Sequence, residues 1–339
     1  MARKLRMDEI GAIVATIFIT AVPLTAIEKS ILAEETYMKV LIITSSIDYT
    51  VDYIISRYSG VDFYRINTDM FEHYQFLIRN NGWSIESAFG RIEDSEVQSI
   101  YYRKPMLPDL SEFDPAYHSM IAQDILGIVT GLADSFDGPV LSKPYLLKRA
   151  ENKTYQLLTL RKLKIPYPLS AIGNTYDLDT KLMTVNKIIK PLTQGKIDKG
   201  THFELFQTNR LTQPVGDISL TPVYIQEFIE KAFEVRITCL DNYIWPVRIV
   251  SSNRTDWRRL TAKNTYDLVD VPDKIKGMCL NILKLFDLHF GAFDFIVTSK
   301  GEWYFLEINP NGQWLWLEEA LNLDISKRIV ELLNKEGVW

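Results

Sequence analysis

The sequence predicts an α/β protein built as two α+β lobes. Three observations carry that reading. Residues 39–66 run strand, helix, strand, the rhythm of a parallel sheet. Residues 233–250 and 290–308 each read as an antiparallel hairpin. The length of 339 residues and the 47% apolar content allow about two domains with real cores, which excludes global disorder.

The elements follow in order. Lys39–Thr44 (KVLIIT) is short, apolar and rich in β-branched residues, as a buried strand requires. Val51, Ile54, Ile55 and Tyr58 recur at helical spacing, and Gly60 closes that helix. Residues 61–66 give a second strand. Residues 76–78 and 83–89, split by Asn80-Asn81-Gly82, form a hairpin. Val97–Tyr102 is a strand ending in Arg103-Lys104-Pro105, and a helix spans 116–136 up to Asp137-Gly138-Pro139. The second lobe opens with a helix over 147–163, stopped by Pro166 and Pro168. Strands follow at 187–192 and 223–229, with a polar turn flanked by Gly195 and Gly200 after the first. Two hairpins come next, Phe233–Leu240 with 243–250 and Phe290–Val297 with 302–308. Helices at 275–286 and Ile325–Leu333 complete the series. There is no internal repeat and no low-complexity stretch.

Composition removes several function classes. Cys239 and Cys279 cannot build a disulfide framework or a four-cysteine zinc site, and so sparing a use of cysteine suits a reducing compartment. Four histidines, at 73, 118, 202 and 289, make a histidine-rich metal site improbable. A net charge of −5 lacks the basic excess that nucleic acid demands. Catalysis is left to carboxylates, Lys, Arg or Asn.

The segment Phe305–Glu318 (FLEINPNGQWLWLE) is the most informative. Strand residues two apart share a face and lie roughly 6–7 Å apart. Glu307 and Asn309 therefore project to one side and Leu306 and Ile308 to the other, and Pro310 and Gly312 stop the strand. A carboxylate beside an amide carbonyl is an all-oxygen pair of the kind magnesium prefers. A polar strand end capping a turn would read the same way. In Gly291–Val297 a single acid, Asp294, interrupts an apolar run, and a lone buried Asp is costly unless paired or metal-bound. A hairpin at Gly301 would bring Asp294 next to Glu307, unless Asp294 lies at a solvated edge. Lys190 ends a strand before the turn Thr193-Gln194-Gly195-Lys196, and Lys153 sits near a helix start. Both places suit phosphate, though either lysine alone reads as a surface charge. Glu234 and Arg236 share a strand face and could simply pair with each other. Arg248, Arg254, Arg258, Arg259 and Lys263 hold one acid between them, Asp256. That is a basic patch for an anion or a solvated face.

As a spaced set, Lys153, Lys190, QEFIE (Gln226, Glu227, Phe228, Ile229, Glu230), EVR (Glu234 to Arg236), Asp294 and EINPNG (Glu307 to Gly312) resemble the ATP-grasp superfamily of carboxylate–amine ligases. The resemblance runs from about 147 to 333. It implies an ATP-grasp fold behind an N-terminal pre-ATP-grasp α/β domain. The expected division is an extension over 1–37, a pre-ATP-grasp domain over 38–143 and an ATP-grasp domain over 144–339. Within the last, a lid subdomain covers about 165–230 and a magnesium-carrying subdomain about 231–339. By that resemblance Lys153 and Lys190 contact phosphates, Glu227 and Ile229 meet adenine through the backbone, and Glu230 meets the ribose. Asp294, Glu307 and Asn309 hold Mg2+, and Arg236 and Arg248 steady the transferring phosphate, with Lys190 also catalytic.

Within the superfamily, FLEINPNGQWLWLE and Arg103-Lys104-Pro105 are similar to the microviridin-type (graspetide) peptide maturases. This resemblance implies ATP-dependent crosslinking of Asp or Glu side chains to Ser/Thr hydroxyls or Lys amines in a ribosomal precursor peptide, leader plus core. ATP and Mg2+ serve as cofactors, nucleic acid is not a partner, and a homodimer is allowed. Two alternatives stand beside it, a ligase adding amino acids to a protein or small molecule and a non-catalytic ATP-binding scaffold.

The N-terminal run 10–27 (IGAIVATIFITAVPLTAI) is uncharged and follows Arg3, Lys4 and Arg6. It reads as a loosely packed, non-native extension before a fresh start at Met38, as a membrane anchor, or as a signal peptide or packing helix. A cleaved export signal fits worst with an ATP-using enzyme. The expected location is the cytoplasm, with membrane contact only through this run.

Overall fold

The computed structural model describes residues 38–334, apart from 164, 177–179, 194–195, 199–202, 206–207, 214–215 and 260. The apolar run 10–27 and the residues Gln194, Gly195 and Gly200 of the polar turn lie outside the described residues.

In the first lobe, β1 (Lys39–Thr44), β2 (Phe63–Asn67), β6 (Val97–Tyr102) and the short β7 (Val140–Leu141) form a parallel sheet in the order β2-β1-β6-β7. β1 is buried on both faces. Val40 and Ile42 enter one core and Leu41 and Ile43 the other, which is why the strand reads as continuously apolar. The helix Tyr49–Arg57 leaves β1 through Asp48, whose carboxylate accepts from Thr50 N. It stops three residues before Gly60. β3 (Tyr74–Arg79), β4 (Gly82–Ser87) and β5 (Gly90–Glu93) make a separate antiparallel sheet that contains the expected hairpin and adds a strand the sequence did not signal. Helix Pro115–Ser135 starts with Pro at its first position and Asp114 as its cap.

The single helix expected over 147–163 is two. Pro144–Glu151 ends and Lys153–Leu160 begins at Asn152, whose backbone is extended and whose side chain accepts from Tyr155 N. A Pro at the helix start moves the first of them forward. Beyond it lie β8 (Ser170–Gly173), β9 (Lys187–Lys190), the pair β10 (Lys196–Asp198) and β11 (Phe203–Leu205), β12 (Asn209–Leu211) and β13 (Val223–Glu227). The antiparallel order is β12-β9-β13-β8.

A five-stranded antiparallel sheet follows, ordered β16-β15-β14-β17-β18. It comprises β14 (Phe233–Leu240), β15 (Tyr243–Ser251), β16 (Asn264–Leu268), β17 (Phe290–Val297) and β18 (Trp303–Asn309). One face packs on helix Asp273–Phe286. There Val235, Ile237, Phe293, Phe305 and Ile308 meet Cys279, Ile282, Leu283 and Phe286. A further core ties the lobes together: Trp314, Leu315, Ile329 and Leu333 pack with Val40 and Ile42 of β1.

Phe305 sits 5.8, 6.4 and 5.5 Å from the rings of Tyr167, Phe293 and Phe295. Phe305→Ala should lower unfolding free energy by about 3–5 kcal/mol, as other large-to-small changes in well-packed cores do. Urea denaturation followed by circular dichroism measures it.

Candidate active site

Two sheets and one loop enclose a cleft of about 380 Å³. One wall comes from β9 and β13, through Ile188, Lys190 and Gln226 and the residues just after, Phe228 and Ile229. The other comes from β14, β17 and β18, through Glu234, Asp294, Ile296, Leu306, Glu307 and Asn309. Residues 254–258 form the rim and Lys153 closes one end.

The carboxylates meet because of register. Gly301, with φ of +78°, turns β17 into β18, and the pairing sets Asp294 directly opposite Glu307. Asn309 Nδ2 lies 3.5 Å from Asp294 Oδ2. The Asn309–Gly312 turn packs tightly against β17, where a Cβ on Gly312 would stand 2.7 Å from that of Ala292. Asp294 is in a central strand and not at a solvated edge.

One expectation fails at this point. Leu306 does not turn to the core with Ile308 but lines the cleft beside Glu307. The ladder shifts between Asp294 and Phe295: Asp294 faces Glu307 and Phe295 faces Phe305, so Leu306 is the extra residue of a bulge. Strict alternation cannot foresee an inserted residue.

Cations surround the pair. Arg236 Nε lies 3.2 Å from Asp294 Oδ1, and Lys153 Nζ is 3.8 Å from Glu307 Oε2. Lys190 is buried, donates to Gln226 Oε1 at 3.1 Å and sits 4.4 Å from the centre of the Tyr224 ring. Burial pulls the Lys190 ammonium down to about 8 against the opposing pull of Glu307. Burial alone would raise Glu307, but Lys190, Lys153, Arg258 and Arg236 overcome it and hold the carboxyl at about 2. Asp294 goes the other way. Burial and the Glu307 charge push it up despite Arg236. Glu234 is also raised by burial, opposed by its contact with Lys231.

These observations fit a magnesium site. Two carboxylates and an amide converge, the donors are all oxygen, and Asp294 carries a charge its neighbours leave incompletely compensated. Among the described residues no group of three or more His, Cys, Asp or Glu is placed to hold a metal. Magnesium does not need one, because waters and substrate phosphates complete its octahedron.

Other sequence-predicted residues divide. Gln226, Glu227, Phe228, Ile229 and Glu234 all line the cleft. The Glu227 and Phe228 amides are held by Leu169 O and Asn186 O, which fixes the hinge. Glu230 is not brought to the lining: its carboxylate is exposed and pairs with Arg254 at 3.3 Å. Arg248 is not brought there either. It stands opposite Val235, on the sheet face away from Glu234 and Arg236, 2.7 Å from Asp267 and stacked over Phe233. The hairpin register pairs Arg236 with Val247 and Arg248 with Val235, and successive residues alternate faces, so Arg248 points away from the cleft. The basic patch supplies Arg258 in its stead. Arg258 lines the cleft and is gripped by both oxygens of Asp256, at 2.9 and 3.0 Å. Its signal was the single acid inside that patch. Arg259 bonds Thr208 O and Asn209 instead.

Residues 39–145 match the family described as the MvdD pre-ATP grasp domain. No curated protein matches the chain. Among solved structures, the macrocyclase MdnC bound with precursor peptide MdnA from Microcystis aeruginosa MRC is 25% identical, with a TM-score of 0.76 over 87% of this chain and 99% of that one. A Chryseobacterium gregarium RiPP-associated ATP-grasp ligase, in complex with ADP and a leader and core peptide, is 23% identical with a TM-score of 0.75 over 87% and 95%. D-alanyl-alanine synthetase A from Vibrio cholerae O1 biovar eltor str. N16961 is 11% identical with a TM-score of 0.55 over 89% and 98%. The fold is that of the ATP-grasp ligases. Its first lobe is of the MvdD pre-ATP-grasp type.

Arg236→Met should leave Asp294 as an uncompensated buried charge and cost about 3–5 kcal/mol of stability. Adding Asp294→Leu should recover most of that loss. Urea melts of the two variants in magnesium-free buffer give the comparison, and equal losses would contradict the pairing.

Proposed function

We propose that the protein uses ATP to activate an Asp or Glu side chain of a ribosomally made precursor peptide and joins it to a Ser/Thr hydroxyl or a Lys amine. The observation that carries the proposal is the registered Asp294–Glu307 pair with Asn309, facing Lys153 and Lys190 within one cleft. The likeness to MdnC, solved with its precursor peptide, supports a peptide as substrate.

Asp294, Glu307 and Asn309 would hold magnesium, which supplies charge neutralisation on the triphosphate. Lys153 and Lys190 bind its phosphates. The backbone of Glu227 to Ile229 receives the adenine between Ile188 and Ile296. A substrate carboxylate oxygen attacks the γ-phosphorus and ADP leaves, giving an acyl phosphate. The hydroxyl or amine then attacks the acyl carbon, phosphate departs and the nucleophile loses its proton. Each bond formed removes one water from the peptide. Arg236 and Arg258 face the carboxylate pair and bear the charge on the transferring phosphoryl group. Arg236 Nε is engaged with Asp294, whereas Nη1 is buried and makes no hydrogen bond among the described residues, which leaves Nη1 to an incoming oxyanion. No covalent nucleophile is required, and catalysis is positioning plus charge neutralisation.

We place the enzyme in the cytoplasm, on the two buried free thiols Cys239 and Cys279. No helix among the described residues is long and apolar enough to cross a membrane.

Glu307→Gln combined with Asn309→Ala should abolish ATP-dependent water loss from a cognate peptide, read by mass spectrometry, with an unchanged far-UV spectrum. Removing Arg258 alone (Arg258→Ala) should slow turnover by about 2–4 kcal/mol of barrier, as loss of one oxyanion donor does elsewhere. Normal turnover by the double variant would refute the site.

A further inference from the structure

A second cavity, of about 640 Å³, opens where the chain leaves the carboxyl ends of β1 and β6. Parallel sheets place ligand crevices there, at the point where connections diverge to opposite sides. β1 is such a point: β2 lies on one flank and β6 on the other. Helix Leu315–Leu321 supplies the facing wall through Leu315, Trp316 and Glu319.

The charges in its lining are accounted for, with one exception. Asp48 lies 3.2 Å from Arg103 Nε and also accepts from Thr44 Oγ1 and Thr50 N. Glu319 accepts from the Tyr49 hydroxyl at 3.1 Å. Lys104 is half-buried and makes no hydrogen bond or ion pair among the described residues, and burial lowers its pKa. The lining around this cation is mixed, with Ser45, Thr50 and Gln313 beside apolar side chains. Ile47 is 71% exposed, and Met106 and Leu107 are exposed beside it. Glu151 and Asp48 act on this ammonium from a distance but neither is paired with it, so it can take a carboxylate whose neighbours rest on the apolar side chains of the rim.

The cavity adjoins the cleft. Trp316 lines the cavity and Trp257 lines the cleft, and their rings are 5.3 Å apart. Lys104 does not line the cleft, so a carboxylate held by it is not the one that reacts.

We propose that this cavity seats a non-reacting acidic side chain of the peptide substrate, its carboxylate on Lys104 and its apolar neighbours on Ile47, Met106 and Trp316, with the chain crossing the Trp257–Trp316 pair to reach the cleft. The proposal rests on the peptide-ligase reading.

The test uses the full chain with ADP and magnesium. Acetyl-leucyl-glutamyl-leucine amide and its glutaminyl counterpart are titrated by calorimetry. The wild type should bind the glutamyl probe about tenfold more tightly, the worth of one charge-assisted hydrogen bond. Lys104→Met should erase that preference and Lys104→Arg should keep it, both with wild-type ADP affinity. Equal binding of the two probes, no binding of either, or a preference that survives Lys104→Met overturns the subsite. Failure of the wild type to bind ADP would instead sink the ligase reading, and the two failures are distinct.

Discussion

Two carboxylates on paired strands of a buried sheet face repel each other, and the rest of the structure is arranged to make that tolerable. Asp294 and Glu307 are directly opposite in the β17–β18 ladder. Arg236, from the next strand on the other side of β17, reaches Asp294, and Lys153, Lys190 and Arg258 bear on Glu307 from three other segments. The result is asymmetric, with Glu307 held firmly ionised and Asp294 pushed towards protonation. In the proposed reading a divalent cation would offset the carboxylate pair and a triphosphate would meet the surrounding positive side chains, so each would favour binding of the other.

Register alone does not hold this geometry, because Glu307 and Asn309 lie at the end of a strand. The turn beyond them is anchored to the first lobe. Asn311 donates to Arg103 O, and Gln313 Oε1 accepts from Arg103 Nη2 at 2.5 Å. Arg103 is 1% exposed and also bonds Thr50 and Tyr101. The first lobe therefore braces the end of the strand that carries Glu307 and Asn309. On the opposite flank, Gln156 of helix Lys153–Leu160 donates to Ile308 O at 2.9 Å and accepts from Ile308 N at 3.2 Å. The strand end is clamped from both sides, which fixes the positions of Glu307 and Asn309.

Much of this was legible in the sequence because its causes are local. The β14–β15 and β17–β18 hairpins follow from apolar runs split by Asp241-Asn242 and by Gly301, and Asp294 was conspicuous as the one acid in an apolar strand. What escaped depends on chain pairing. The bulge at Leu306 arises only when β18 meets β17. Arg248 and Arg258 look alike in sequence, and cross-strand register alone turns the first away from the cleft. The edge strand Asn264–Leu268 (NTYDL) carries no alternation, since its neighbour β15 supplies its order. Asn152 as both terminator and cap was hidden because helix periodicity continues across it.

The most direct measurement is anomalous diffraction from crystals grown with ADP and Mn2+ in place of Mg2+. A single strong peak coordinated by carboxylate oxygens of Asp294 and Glu307 and by the Asn309 amide oxygen, with nucleotide phosphate on its other side, is the expected result. A manganese peak elsewhere, or nucleotide bound with those three side chains uncoordinated, would contradict it.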